Sequence, residues 1–239
     1  MSRLVLVRHG QASLLEPDYD KLSALGETQS RLLGDYWASR NVKFDYAATG
    51  PLARQKNTAR IVAEAYARAG MAFPEAVTLP EFTECDAERV LRQALSGLLE
   101  TSAQVRELHG AIGGATTPGE RSKAFERLFE HIIFRWVSGE LPVAGVESWS
   151  EFSARVNRGV SRFMAQCGRG TNAAIFTSGG PIAVAVERAL HLAPLDTLRM
   201  MWMSRNCSYS EFLFSGERFT LSVFNASPHL DGDSLVTYR

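Results

Sequence analysis

The sequence predicts an α/β fold: a three-layer α/β/α sandwich on a mostly parallel mixed sheet, with a helical cap inserted into it. Three observations predict this class. Short apolar runs alternate with stretches of helical period before residue 86 and again after residue 148, the pattern of strands joined by helices. Residues 86–145 interrupt that alternation with helical stretches alone. Near the C-terminus, the runs 208–214 and 218–224 flank Ser215-Gly216-Glu217 and read as a hairpin, which brings antiparallel pairing to the sheet. With 239 residues and 45% hydrophobic content the core is ample, and one domain spanning 1–239 carries the insertion at approximately 86–145.

Leu4-Val5-Leu6-Val7 is four apolar residues in a row, a short buried strand. It delivers Arg8-His9-Gly10 to its C-terminal edge, where open α/β sheets bind ligands. Residues 11–22 are loop-like, with Pro17 and the aspartates Asp18 and Asp20. Ser23 suits the N-cap of a helix to about Arg40, whose apolar face carries Leu25, Leu32, Leu33 and Trp37. Residues 44–48 read as a second strand. Gly50-Pro51 then opens a helix to about Ala69, with proline in its first turn, and residues 76–79 form a third strand. Inside the insertion, helical stretches of roughly 86–109 and 118–138 flank a flexible glycine-rich segment, 110–115. A helix over about 148–167, a strand over about 173–177 and a helix opening at Pro181 follow.

Lys and Arg number 26 against 26 Asp and Glu, a formal charge of zero. No basic field attracts nucleic acid and no polybasic run attaches the chain to a membrane, so any anion affinity is local. Cys85, Cys167 and Cys207 form no CxxC pair and no metal-ligand spacing, and free thiols are expected. The N-terminus lacks an apolar run of signal-peptide length, and no stretch approaches the ~20 residues of a membrane span. A soluble, cytoplasmic protein is expected, with no nucleic-acid or membrane partner.

Arginine and histidine at a strand end suit a phosphate and a nucleophile that attacks it. A second motif adds to this: Gly50-Pro51-Leu52-Ala53-Arg54-Gln55-Lys56-Asn57-Thr58-Ala59 sets an arginine on the first turns of a helix that follows a strand. Helix N-termini favour anions, and Arg54 adds a planar, always-charged fork; the plain alternative is a solvated helix arginine. Ser178 is no serine-hydrolase nucleophile, because the nucleophile elbow needs glycine two residues earlier and this chain has Phe176.

Taken in order, the motifs resemble the histidine phosphatase superfamily, the phosphoglycerate-mutase-like enzymes. The resemblance rests on Leu-Val-Arg-His-Gly, on Leu22-Ser23, Gly26 and Gln29, and on Pro51-Leu52-Ala53-Arg54 with Thr58-Ala59. Leu79-Pro80-Glu81, Glu147-Ser148 before a helix, the Thr177-Ser178-Gly179-Gly180 turn, and Asn225 with His229-Leu230 complete it. It covers nearly the whole chain apart from the insertion. It implies His9 as the nucleophile that forms a phosphohistidine, with Arg8 and Arg54 neutralising the phosphoryl oxygens. Neither metal nor cofactor is implied. The proton for the leaving group comes, in the family, from an acidic residue after the third strand. Glu81 stands at that position, with Glu84 and Asp86 as competitors and a surface carboxylate as the plain alternative.

The family normally carries a second histidine in a His-Gly turn, and here Ser178 stands at that place. Serine offers one neutral hydrogen bond and no charge, and losing a preorganised donor outright costs about 10²–10³ in rate. The N–H groups of Ser178, Gly179 and Gly180, ahead of the Pro181 helix, offer partial compensation, so the expected phosphate ligands are Arg8, Arg54, Ser178 and Gly179. The expected activity is metal-independent hydrolysis of a phosphomonoester through phospho-His9, the ligand being a small phosphomonoester or inorganic phosphate. The alternatives are a non-catalytic phosphate or phospho-ligand binding protein and, third, a phosphoglycerate-mutase-type transfer. In the insertion Leu98, Leu99, Phe125, Phe129, Phe134 and Trp136 are expected chiefly as packing, with an apolar roof or a homodimer contact open to some of them. His109, His131 and His191 read as solvated or structural, and His229 as the one further histidine with a route to the pocket.

Overall fold

The computed structural model describes residues 1–13 and 20–238, so Pro17 and Asp18 of the first loop lie outside the described residues. The chain divides into two units, Met1–Glu84 with Arg155–Arg239, and Cys85–Ala154. The strands are β1 (Ser2–Arg8), β2 (Tyr46–Thr49), β3 (Ala76–Thr78), β4 (Asn172–Thr177), β5 (Tyr209–Ser215) and β6 (Arg218–Ala226). The helices are α1 (Ala24–Ser39), α2 (Ala53–Arg68), α3 (Ala87–Thr101), α4 (Ala103–Gly114), α5 (Pro118–Val137), α6 (Trp149–Gln166), α7 (Gly179–Leu190) and α8 (Pro194–Met203).

Among the described residues these six strands join one sheet in the order β3-β2-β4-β1-β5-β6. The pairs from β3 to β1 are parallel, while β5 runs antiparallel to β1 and β6 antiparallel to β5. This is the α/β architecture expected from the alternating pattern, a mixed and mostly parallel sheet flanked by helices, its C-terminal hairpin included. The continuous apolar run of β1 has a simple cause: the strand is central and covered on both faces. Val5 and Val7 join a cluster with Leu33 and Trp37 of α1 and Val62 and Tyr66 of α2, while Leu4 and Leu6, fully buried, point the other way.

The buried stripe of α1 departs from expectation. Leu33 and Trp37 are in it, but Leu25 and Leu32 are only half-buried, and Gln29 and Ser30 take the interior positions instead. Polar residues tolerate that burial because they are hydrogen-bonded: Ser30 Oγ donates to the Gly26 carbonyl at 2.7 Å, and both ends of the Gln29 amide are engaged. Ser23 caps α1 as expected, its side chain accepting from Gly26 N–H. The helix expected at Pro181 starts two residues earlier. Ser178 is its extended N-cap and Pro181 falls in the first turn, where a missing N–H costs nothing. Beyond the expected elements lies α8, which opens with Pro194 at its first position.

The unit Cys85–Ala154 is helical. The stretch expected as one helix over 86–109 is two, because Ser102 adopts an extended conformation and its side chain caps α4 by accepting from Val105 N–H. The segment 110–115, expected to be flexible, continues α4 as far as Gly114. Trp136 and Trp149 meet edge to face in this unit, and Phe125 stacks on Phe129 while remaining exposed. Among the described residues no helix is long and apolar enough to cross a membrane.

Candidate active site

Parallel pairing brings the key residues to one edge. Arg8 lies opposite Thr177 and Thr49 opposite Phe176, so the chain segments leaving β1, β2 and β4 emerge together at the carboxyl ends of their strands. His9 N–H donates to the Thr177 carbonyl at 2.9 Å, and Gly50 N–H to the Phe176 carbonyl. The turn after His9 needs glycine for space: a Cβ on Gly10 would sit 2.4 Å from the Gly26 carbonyl oxygen.

His9 is buried, 6% exposed. Its Nδ1 lies 2.7 Å from the Gly10 carbonyl and its Nε2 is 3.1 Å from Arg54 Nε, which donates to it. A carbonyl on one side and a guanidinium N–H on the other require the tautomer with the proton on Nδ1 and a lone pair on Nε2. Burial, and then the charges of Arg54 and Arg8, hold the imidazole well below its ordinary pKa, opposed by the Gly10 carbonyl. The ring is neutral near pH 7. Behind it, the His9 carbonyl accepts from Cys207 N–H at 3.1 Å and from Asn206 Nδ2. Asn206 is tied in turn to Thr237, and Thr237 to Gln29, whose Oε1 accepts from Gln11 N–H. This polar network, built around the buried Gln29 and Asn206, crosses from the C-terminal tail to the His9 turn, and no sequence pattern announces it.

Arg54 lies in the first turn of α2, 8% exposed. Besides His9 it meets Asp20, whose Oδ1 lies 2.8 Å from Arg54 Nη1. The same carboxylate accepts from the backbone N–H of Ala53 at 2.7 Å and, at 3.4 Å, from that of Arg54. Thr58, one turn along, donates to the Arg54 carbonyl and accepts from Gly10 N–H, which fixes the His9 turn against α2. Arg8 donates from Nη1 to the Ser204 carbonyl, and a Cβ on Gly179 would lie 3.8 Å from Arg8 Nε, so this guanidinium sits beside the start of α7.

Ser178, 1% exposed, accepts from Gln55 Nε2 at 2.8 Å. Gln55 also donates to the Phe82 carbonyl, and its Oε1 accepts from Leu52 N–H. The expected phosphate ligand is therefore held by a glutamine next to Arg54, within the same motif. The carboxylates separate clearly. Glu84 Oε2 accepts from Gly180 N–H at 3.0 Å, at the N-terminus of α7. Glu81 turns instead to Arg162 of α6, Oε1 to Nη1 2.8 Å and Oε2 to Nη2 3.2 Å. Asp86 caps α3, accepting from Arg89 N–H. His229 packs against the Tyr36 ring of α1, and burial pushes its pKa down to about 4 against the opposing effect of the Cys207 backbone.

The structure thus brings together His9, Arg8, Arg54, Ser178 and Gly179, sets Glu84, one of the three candidate acids, at the start of α7, and adds Asp20, Gln55 and Thr58. Asp20 was legible only as an acid in a loop, and Glu84 as a competitor of Glu81 for the leaving-group proton; Gln55 carried the signal of a helix first-turn amide. Among the described residues no group of three or more His, Cys, Asp or Glu is gathered as a metal site. The arrangement presents an unprotonated imidazole nitrogen, two guanidinium groups and two helix N-termini at one sheet edge, a set of donors chemically suited to an anion beside a nitrogen lone pair.

The model of the histidine phosphatase superfamily, branch 1, matches residues 4–100 and 87–227. Comparison with curated proteins finds no match in sequence. Among solved structures, a mutant phosphoserine phosphatase from Entamoeba histolytica in complex with phosphoserine superposes with a TM-score of 0.64 at 18% identity, covering 96% of this chain and 100% of that one. A mycobacterial glucosyl-3-phosphoglycerate phosphatase in complex with inorganic phosphate gives 0.62 at 22% identity, over 96% and 99% of the chains. The α-ribazole phosphatase of Shigella flexneri gives 0.61 at 18% identity, over 94% and 96%.

Proposed function

Because this chain belongs to branch 1 of the histidine phosphatase superfamily, we propose that it hydrolyses phosphomonoesters of small molecules without a metal ion, through a phosphohistidine at His9. The observation that carries the reading is the state of His9: Nδ1 held by the Gly10 carbonyl, Nε2 unprotonated and faced by Arg54. Nε2 attacks phosphorus, the ester P–O bond breaks, and the leaving oxygen takes a proton. Arg54 and Arg8 turn to the phosphoryl oxygens, whose charge must be balanced in the transition state; with two guanidiniums supplying that charge, a metal has no necessary part. Water then attacks the phosphohistidine, the P–N bond breaks, and inorganic phosphate leaves with His9 restored.

We assign the leaving-group proton to Glu84. Glu81 matches the family motif, but its carboxylate is bridged to Arg162, whereas Glu84 reaches the α7 N-terminus next to Ser178. Glu84 then takes the proton of the attacking water in the second step. Ser178 and the N–H of Gly179 complete the phosphate ligands, Ser178 standing where the family carries its second histidine.

Ser178 also favours a second reading, a protein that binds phosphate or a phospho-ligand without turning it over, since the side chain brings no charge. Hydrolysis of an aryl phosphate with EDTA present separates the two. Rapid quench with a ³²P-labelled substrate should trap acid-labile, alkali-stable label on the wild type and none on His9→Ala. Phosphate binding without turnover supports the second reading; robust turnover that survives His9→Ala removes His9 as the nucleophile.

A further inference from the structure

We infer that Asp20 is a built-in competitor for the phosphate site: its carboxylate occupies, in the resting protein, the donors that a substrate's phosphoryl group must take. The inference rests on the proposed phosphatase reading and deepens it. Three donors converge on Asp20: the backbone N–H of Ala53 at 2.7 Å, that of Arg54 at 3.4 Å, and Arg54 Nη1 at 2.8 Å. The first two are N–H groups of the first turn of α2, and the third belongs to the guanidinium that also touches His9. Backbone N–H groups at a helix start together with an arginine fork are the donor set that binds phosphate. A carboxylate is the protein's own anion of closest shape.

The consequence is electrostatic as well as steric. Among the described residues gathered at the site, with His9 neutral, the formal charges are Arg8 and Arg54 against Asp20 and Glu84, which cancel. A phosphate dianion entering beside an undisplaced Asp20 meets a like charge at contact distance, and Arg54 cannot give both oxyanions its full fork. Asp20 is partly exposed, its side chain at 34% against 10% for that of Arg54, so its release to solvent is open while Arg54 stays in place. Asp20 therefore lowers the affinity for free inorganic phosphate, the reaction's product, and a substrate succeeds by bringing binding energy from the rest of its structure.

The alternative role is opposite in sign. If Asp20 serves to hold Arg54 and the α2 N-terminus in position, removing its charge weakens anion binding. Orthovanadate and inorganic phosphate are the probes, with dissociation constants from calorimetry and inhibition constants against an aryl phosphate. Asp20→Asn and Asp20→Ser both keep an acceptor for the helix N–H groups and remove the charge. Both should bind vanadate and phosphate about tenfold more tightly than wild type, the effect of losing one charge-assisted contact in competition. Glu64→Gln, on the same helix but paired with Arg60, makes the same change in net charge and should leave both constants unaltered. Unchanged or weaker binding in the folded Asp20 variants overturns the inference, and weaker binding assigns Asp20 to positioning. An equal gain in Glu64→Gln also overturns it, as a bulk charge effect. No binding by wild type or any variant instead sinks the phosphatase reading itself.

Discussion

Replacing Glu84 by glutamine separates proton donation from everything else this carboxylate does. The Oε2 of Glu84 accepts from Gly180 N–H at 3.0 Å, and an amide oxygen can accept the same bond, so the α7 N-terminus keeps its cap and the fold is expected to hold. What glutamine cannot do is deliver a proton. A positioned general acid contributes about 10²–10⁴ in rate, and the need for it scales with the basicity of the leaving oxygen. Glu84→Gln should therefore lower kcat/KM for an alkyl phosphate about 100-fold, some 2.7 kcal/mol of transition-state stabilisation. For nitrophenyl phosphate, whose phenolate leaves unaided, the loss should stay within about threefold. Glu81→Gln is the matched control. Its partner Arg162 is 54% exposed, and such a pair contributes less than about 1 kcal/mol to stability, so both substrates should change by less than about threefold. Steady-state kinetics on the two esters, with melting curves for each variant, reads the outcome. Equal losses on both esters in Glu84→Gln would reduce Glu84 to a helix cap. A leaving-group-dependent loss in Glu81→Gln instead would return the role to Glu81, with Arg162 releasing it during turnover.

Other outcomes follow from the same geometry. Arg54→Lys keeps the charge but loses the fork that spans His9 and Asp20, so vanadate inhibition and kcat/KM should both weaken by about tenfold or more; unchanged inhibition removes Arg54 from the site. Ser178→Ala deletes a hydrogen-bonding hydroxyl and should lower kcat/KM by about three- to tenfold. Ser178→His should raise activity, most clearly below pH of about 6.5 where imidazole gains charge. An unaffected alanine variant together with a folded but unimproved histidine variant means that this side chain serves Gln55 and not the substrate. Acid should destabilise the protein through its buried histidines. His9 and His229 are both held below their ordinary value, so the unfolded chain binds protons first and stability is lost as pH falls below about 6.5, for His229 down towards about 4. His229→Phe should abolish about 2–3 kcal/mol of that loss, measured by urea unfolding at pH 7 and pH 4.5; an unaltered pH dependence would contradict it.

Much of the fold was legible along the chain because local rules decide it. Four apolar residues in a row with two valines suit a short strand covered on both faces, and β1 is that strand. Ser23 announces α1, and Ser215-Gly216-Glu217 announces the β5–β6 hairpin, since caps and tight turns depend on neighbours in sequence. His9 with Arg8, and Arg54 at a helix start, were legible for the same reason: each is a chemical group at the end of an element whose ends the pattern marks. Elements hidden from that logic were those whose signals conflict, such as the Ser102 break between α3 and α4 and the polar Gln29 in the interior stripe of α1.

The composition of the site beyond those residues was decided by tertiary structure alone. Glu81 and Glu84 are three residues apart and chemically identical, and nothing local says which one faces Arg162 and which one the α7 N-terminus. Asp20 lies 34 residues from the arginine it holds, and Gln55 lies 123 from the serine it holds. Such pairings are consequences of strand order: only once β4 inserts between β1 and β2 do the loops carrying these residues share an edge. Sequence pattern names the elements and the groups at their ends; the sheet's topology chooses which of those groups meet, because hydrogen bonds and ion pairs act over about 3 Å of space and take no account of distance along the chain.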